Sequence, residues 1–201
     1  MKAPTITTRI TSSARKPLIP RDTSAIAIDP GYSAKSGGCA VAHAVEGELC
    51  SVSFKASLPT DDVPRCVDHV IVEQPQQDGR SDGVPTVTLI KLSWAGALLA
   101  GFYVGDNTGA VLHEPTPREW KGSEAKPAMH ERMWAILSKA ERQVLGGAAT
   151  AKQIDAACER GALCRWSKSG AELYPSTFVT HNLLDAAAIL MWAYGRLEKV
   201  G

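Results

Sequence analysis

Three acidic residues stand where ordinary packing does not ask for them. Asp29 closes the apolar run Ser24 to Asp29 (SAIAID), and Glu73 closes a second run, Val67 to Glu73 (VDHVIVE). Asp185 falls in the expected first turn of an otherwise apolar helical segment, HNLLDAAA. A carboxylate at the edge of a buried run is costly unless it is paired or binds a cation. Hard divalent ions such as Mg²⁺ take oxygen ligands and keep some of their waters, so two or three convergent carboxylates suit them. Two such ions about 4 Å apart can activate a water and stabilise the leaving oxygen in phosphodiester cleavage. Each acid also has an ordinary reading. Asp before Pro30-Gly31 is a common turn residue, and Asp in a first helical turn favours the helix dipole. Their joint occurrence with the strand order is what points to a site.

The elements that must position these acids are legible from periodicity and turn residues. SAIAID, ended by Pro-Gly, reads as a central strand. Cys39 to Val45 and Leu49 to Lys55, with Gly47 between them, read as a hairpin continuing the sheet, and VDHVIVE as a fourth strand. Gln76 to Pro85 reads as a polar loop. Thr86 to Ala100 is expected to be a helix closed by Gly101, and Ala110 to Glu114 a fifth strand stopped by Pro115 and Pro117. From Ala128 to Leu145 a single helix is expected. Met129, Met133, Ile136, Leu137, Ala140 and Val144 would line its apolar face, with His130, Glu131, Lys139 and Arg142 opposite. A short helix near Ile154 to Glu159, a loop through Trp166 and Tyr174, and a last helix from about Asn182 to Leu197 complete the chain. The expectation is a mixed α/β domain with a five-stranded sheet flanked by helices.

Composition bounds the rest. The 201 residues, 44% hydrophobic and 21% charged, suit one globular domain with a sizeable core. The net charge of +1 hides an asymmetry: residues 1–22 hold Lys2, Arg9, Arg15, Lys16 and Arg21 against Asp22. That stretch reads as a flexible basic arm, and residues 23–201 as the folded domain. Five cysteines without a short C-x-x-C pair fit reduced thiols better than a zinc site or a disulfide framework. With no expected span of ~20 apolar residues and no secretory leader, the reading is a cytoplasmic protein without a membrane partner. His43, His69 and His113 lie in strand patterns and read as structural or surface residues rather than ligands. The turn SAKSGG lacks the Gly-Lys-Ser/Thr ending of a P-loop.

The segments IAIDPG (26–31), VIVEQP (70–75) and HNLLDAAAI (181–189) resemble, in order and separation, the acidic motifs of RuvC-type Holliday-junction resolvases, most closely phage and prophage members. The resemblance spans roughly residues 24–197. It implies an RNase H-like sheet, two Mg²⁺ or Mn²⁺ ions, and a homodimer that cuts branched DNA symmetrically; a phage-encoded member would work in the host cytoplasm. By motif, Asp29, Glu73 and Asp185 would be metal ligands. The fourth position, one turn before the last Asp, falls on His181 or Asn182, and imidazole is the better ligand or proton carrier. The loop PTPREWKGSEAKP resembles the W-K-G stretch of the phage proteins. Its Arg118, Lys121 and Lys126 would meet phosphates, or the loop is merely solvated, with Trp120 anchoring it to the core. Arg165, Trp166 and Lys168 suggest a second contact loop.

One departure concerns DNA recognition. Bacterial resolvases carry an aromatic after the second acidic motif, whereas Gln74-Pro75-Gln76-Gln77 is followed by no aromatic before Trp94. The leading expectation is a Mg²⁺-dependent, structure-selective DNA endonuclease. A catalytically silent branched-DNA-binding protein of the same fold is the alternative, and an actin-like ATPase or sugar kinase a more distant one.

Overall fold

The computed structural model describes residues 16–30, 39–55, 64, 66–75, 86–107, 109–146 and 181–198. The expected loops at 31–38 and 76–85, residues 1–15 of the basic arm, and all of 147–180 lie outside them. So do Cys158, Cys164, Arg165, Trp166, Lys168 and Tyr174.

Five strands form one mixed sheet: β1 (Ser24–Asp29), β2 (Cys39–Val45), β3 (Glu48–Lys55), β4 (His69–Val72) and β5 (Val111–His113), in the order β3-β2-β1-β4-β5. β1, β2 and β3 are antiparallel neighbours, joined between β2 and β3 by the tight turn at Glu46 and Gly47, both at positive φ. β4 pairs parallel to β1, and β5 parallel to β4. The helices are α1 (Thr86–Asp106), α2 (Pro117–Trp120), α3 (Lys126–Ile136), α4 (Lys139–Gly146) and α5 (His181–Ala193).

Strand alternation divides the core into two layers. On one face Ala25, Ala27, Ala40, Ala42 and Ala44 pack with Ile71 against α3, α4 and α5. Alanine is a poor strand former, but its small side chain lets α5 lie close over β1 and β2. There Leu184, Ile189, Leu190 and Met191 are fully buried, each stabilising the fold by about 1.5–3 kcal/mol. On the other face Ile26, Ile28, Val41, Val70 and Val72 meet Leu99, Ala100 and Tyr103 of α1. Gly96 sets the approach of α1: a Cβ there would stand 2.9 Å from Pro30 Cγ and 3.0 Å from Val72 Cγ2.

Several expectations need correction. α1 runs through Gly101 to Asp106, because an isolated glycine costs a helix only about 1 kcal/mol. Thr88–Asp106 is long and apolar enough to cross a membrane by length and composition, contrary to the expected absence of such a span, although one side of it covers the sheet. The single helix over 128–145 is two. Leu137 leaves helical geometry at ψ 138°, and Ser138 restarts the chain as a cap. Its backbone N–H donates to Glu141 Oε2 (2.8 Å), and its Oγ accepts from the Glu141 N–H (3.2 Å). This is a capping box, whose S-x-x-E signature is present in the sequence.

Within the expected arm, Leu18 and Ile19 donate backbone N–H bonds to Ala193 O (2.9 and 3.1 Å), and Ile19 is buried. The stretch preceding β1 is thus docked on the end of α5.

Candidate functional site

Asp29 and Glu73 come together at the carboxyl ends of β1 and β4. These strands are parallel and in register, Ile28 opposite Val72, and Glu73 N–H donates to Ile28 O (3.0 Å). Backbones of neighbouring strands lie about 4.8 Å apart. Alternation from Ala25 and Ala27 puts the buried Asp29 on the α5 face. Glu73 faces the same way, since its Oε2 accepts the indole N–H of Trp120 at 2.6 Å, and Trp120 belongs to that core layer.

The place is also topologically marked. From β1 the sheet grows outward through β2 and β3 on one side and through β4 and β5 on the other. In open α/β sheets such a switch point leaves a crevice beyond the strand ends, where ligands bind.

The charge of Asp29 registers on its neighbours. Burial first, and then that carboxylate, push the Cys39 thiol up to about 11, so Cys39 stays a thiol and is no nucleophile.

Asp185 sits in the second turn of α5, because the helix begins at His181. The first-turn dipole account expected for it therefore does not hold. It is 2% exposed, among Leu184, Ala186, Ala187 and Ala188, and its Oδ1 is bonded to His130 Nε2 at 2.8 Å. His130 reverses an expectation: read onto the polar face, it is 1% exposed. A helix that ends at Ile136 has its own packed stripe, in which Met129 and His130 both turn inward and Ile136 is exposed. Asn182 is half-buried in the first turn of α5, and the side chain of His181 lies outside the described ones.

The basic loop lies beside Glu73. Gln74 N–H donates to Pro115 O (2.9 Å), and the Gln74 amide donates to Glu114 Oε1 (2.6 Å), fastening the entry to α2 onto the end of β4. Glu119 Oε2 takes both the backbone N–H (2.7 Å) and the hydroxyl (2.8 Å) of Thr116, and Pro117 opens the turn. α2 is thereby held so that Trp120 points inward. Lys121 Nζ stands 5.6 Å from the centre of the Trp120 ring, a cation–π distance. Arg118 is exposed on the same short helix, and Lys126 opens α3. Trp120 is therefore both the expected anchor and a hydrogen-bond partner of Glu73. The second role left no signal in the sequence, because it depends on a contact across 47 residues of chain.

Among the described residues, no three His, Cys, Asp or Glu side chains gather closely enough to hold a metal ion between them. A closed cage including Asp185 is not assembled there. The chemistry of the Asp29–Glu73 pair still fits Mg²⁺, which is commonly held by one or two carboxylates together with waters and substrate phosphates. Comparison with protein-family models, with curated proteins and with solved structures finds no match to this chain.

Proposed function

We propose that the protein is a Mg²⁺- or Mn²⁺-dependent endonuclease for branched DNA, of the RuvC type and with an RNase H-like fold. The observation that carries this reading is the pairing of Asp29 and Glu73 at adjacent parallel strand ends, at the point where the sheet order reverses, which in open α/β sheets is where ligands bind. The mixed five-stranded sheet with helices on both faces is compatible with that fold. Asp29 and Glu73 hold the cations, with Asp185 and His181 (or Asn182) as the further ligands that the motif resemblance assigns. Bound ions supply an activated water and charge stabilisation at the scissile phosphate. Trp120 fixes one Glu73 oxygen, and Arg118, Lys121 and Lys126 meet the DNA backbone, which positions the strand without reading sequence.

The same reading includes a homodimer. α1 exposes Ile90 (51%), Trp94 (67%) and Leu98 (57%) along one stripe, continued by Ala97, Gly101 and Gly105. Bulky residues fill one half of that stripe and small ones the other. A second copy running antiparallel would set large against small twice over, as a two-fold interface requires. It would also bring exposed Lys91 of each copy near exposed Asp106 of the other.

A second reading, a catalytically silent binder of branched DNA, is favoured by the lack of a three-ligand cluster among the described residues. Incubation with labelled four-way junction, fork, duplex and RNA–DNA hybrid, in Mg²⁺, Mn²⁺ or EDTA, separates the two. Metal-dependent cutting of the junction, abolished by Asp29→Asn while binding persists, is the expected result. Metal-independent binding without cutting by the unaltered protein would establish the silent binder, and cutting by Asp29→Asn would refute the site.

A further inference from the structure

Among the described residues, the buried layer where α3 meets α5 is apolar around one polar pair. Met129 and Met133 of α3 lie in the same buried layer as Leu184, Ile189 and Leu190 of α5, and amid them His130 Nε2 meets Asp185 Oδ1 at 2.8 Å. Both side chains are at most 3% exposed. Nε2 donates in this bond to the carboxylate oxygen, and among the described residues Nδ1 is buried without a hydrogen-bond partner.

Stability alone does not account for such a pair. Replacing a buried ionisable pair by well-packed apolar side chains is often neutral or stabilising, and a half-satisfied polar group is worse than an apolar one. What the arrangement does provide is orientation. Arg132, two residues from His130, pairs with Glu124 through Nε (2.9 Å) and Nη2 (2.7 Å), and the same Nη2 reaches Glu198 O beyond α5 (2.8 Å). α3 is thus clamped to α5, and His130 holds the Asp185 carboxylate from a fixed direction.

We propose that His130 is a positioning residue that sets the Asp185 carboxylate for a divalent cation. This rests on the nuclease reading above. Carboxylates that bind metals are themselves held by hydrogen bonds, and removing such a partner typically weakens metal affinity by about 10- to 100-fold.

The test is Mn²⁺ binding to the full chain without DNA, by titration calorimetry and by the electron-spin signal of free Mn²⁺, with thermal unfolding in EDTA alongside. His130→Phe removes the donor. His130→Gln restores an amide N–H near the Nε2 position, and His130→Asn places its amide nearer Nδ1. Expected are a 10- to 100-fold loss of affinity in His130→Phe, recovery to within a few-fold in His130→Gln, and little recovery in His130→Asn, with no such order in the metal-free melting temperatures. Unchanged affinity in His130→Phe, or equal losses in the Gln and Asn variants, would overturn the role. If His130→Phe does not fold, the Gln–Asn contrast decides alone. Should the unaltered protein bind no Mn²⁺, or Asp29→Asn bind it undiminished, the nuclease reading itself fails, whatever stands at position 130.

Discussion

Trp120 and Glu73 are joined by a 2.6 Å hydrogen bond from the indole Nε1 to carboxylate Oε2, across 47 residues of chain. The bond couples the loop that carries Arg118 and Lys121 to the end of β4. A fully buried tryptophan usually finds a partner for its N–H; here the partner is a half-buried acid at a strand end. Trp120 thereby supports the site as well as the core.

Trp120→Phe keeps most of the apolar contact and removes the donor. Losing a hydrogen bond to a charged group costs about 1.5–3 kcal/mol, which urea unfolding would read as a lower midpoint with an unchanged slope. On the proposed nuclease function, junction cutting should fall by about 10- to 100-fold at saturating DNA, the usual effect of losing a residue that holds a metal ligand. A variant that is destabilised but cuts at the full rate would reduce Trp120 to a core residue.

How much of this was open to the sequence differs by residue, for physical reasons. The strands were legible because Ala, Ile and Val runs end at Pro-Gly, at Gly47 and at Gln-Pro, and β1 came out at its expected bounds. The adjacency of Asp29 and Glu73 needed the parallel pairing of β1 with β4, a long-range choice that periodicity cannot make. His130 was misplaced because an unbroken helix over 128–145 fixes the wrong stripe. Ser138 and Glu141 held the signal for the break, outweighed by an apolar pattern running straight through Leu137. Trp120 looked like an anchor in sequence; only the fold brings Glu73 to its nitrogen.

Glu141 is the next test of that corrected boundary. Its carboxylate accepts from Ser138 N–H, from Leu49 N–H of β3 (3.0 Å) and from both terminal nitrogens of Arg196 beyond α5. Burial raises its pKa, but the Arg196 and backbone hydrogen bonds outweigh that and bring it down to about 2. Glu141→Ala leaves the Arg196 guanidinium without its carboxylate, and breaking such a buried pair costs about 3–5 kcal/mol. Chemical unfolding would measure it. A loss under 1 kcal/mol would mean that Glu141 does not tie α4 to β3 and to the end of α5.

The pH dependence of stability follows from the same groups. Burial lowers the pKa of His43, His69 and His113 below the ordinary 6.5, and His113 is lowered further by His69, whose Nδ1 lies 3.1 Å from its Nε2. A depressed histidine binds fewer protons folded than unfolded, so its contribution is present above 6.5 and lost as pH falls toward the folded value. Glu141 acts in a lower window: its contribution is present above 4.5 and lost as pH falls toward about 2. Melting temperature should therefore decline in two stages, one beginning near pH 6.5 and one below 4.5. Calorimetry from pH 8 to pH 3 would show it, and His69→Gln should shrink the first stage. A flat profile between pH 7.5 and 5 would contradict the lowered pKa values that partial burial gives these rings.

Trp94 decides the role of the α1 stripe. It is 67% exposed while Leu99 and Tyr103, on the opposite side of the helix, are buried, so a charge at position 94 meets water in a single copy. Such surface changes usually alter stability by no more than about 0.5 kcal/mol. Against a second copy the same charge would be buried without a partner, at a cost of several kcal/mol. Trp94→Glu should therefore sediment as a monomer where the unaltered protein sediments as a dimer, with the intrinsic fold intact by circular dichroism. Junction cleavage should turn from paired, symmetric incisions into single nicks, because two sites no longer face the two strands together. An unaltered protein that is monomeric at tens of micromolar, or a Trp94→Glu dimer, would remove α1 from the interface and leave its apolar stripe to another partner.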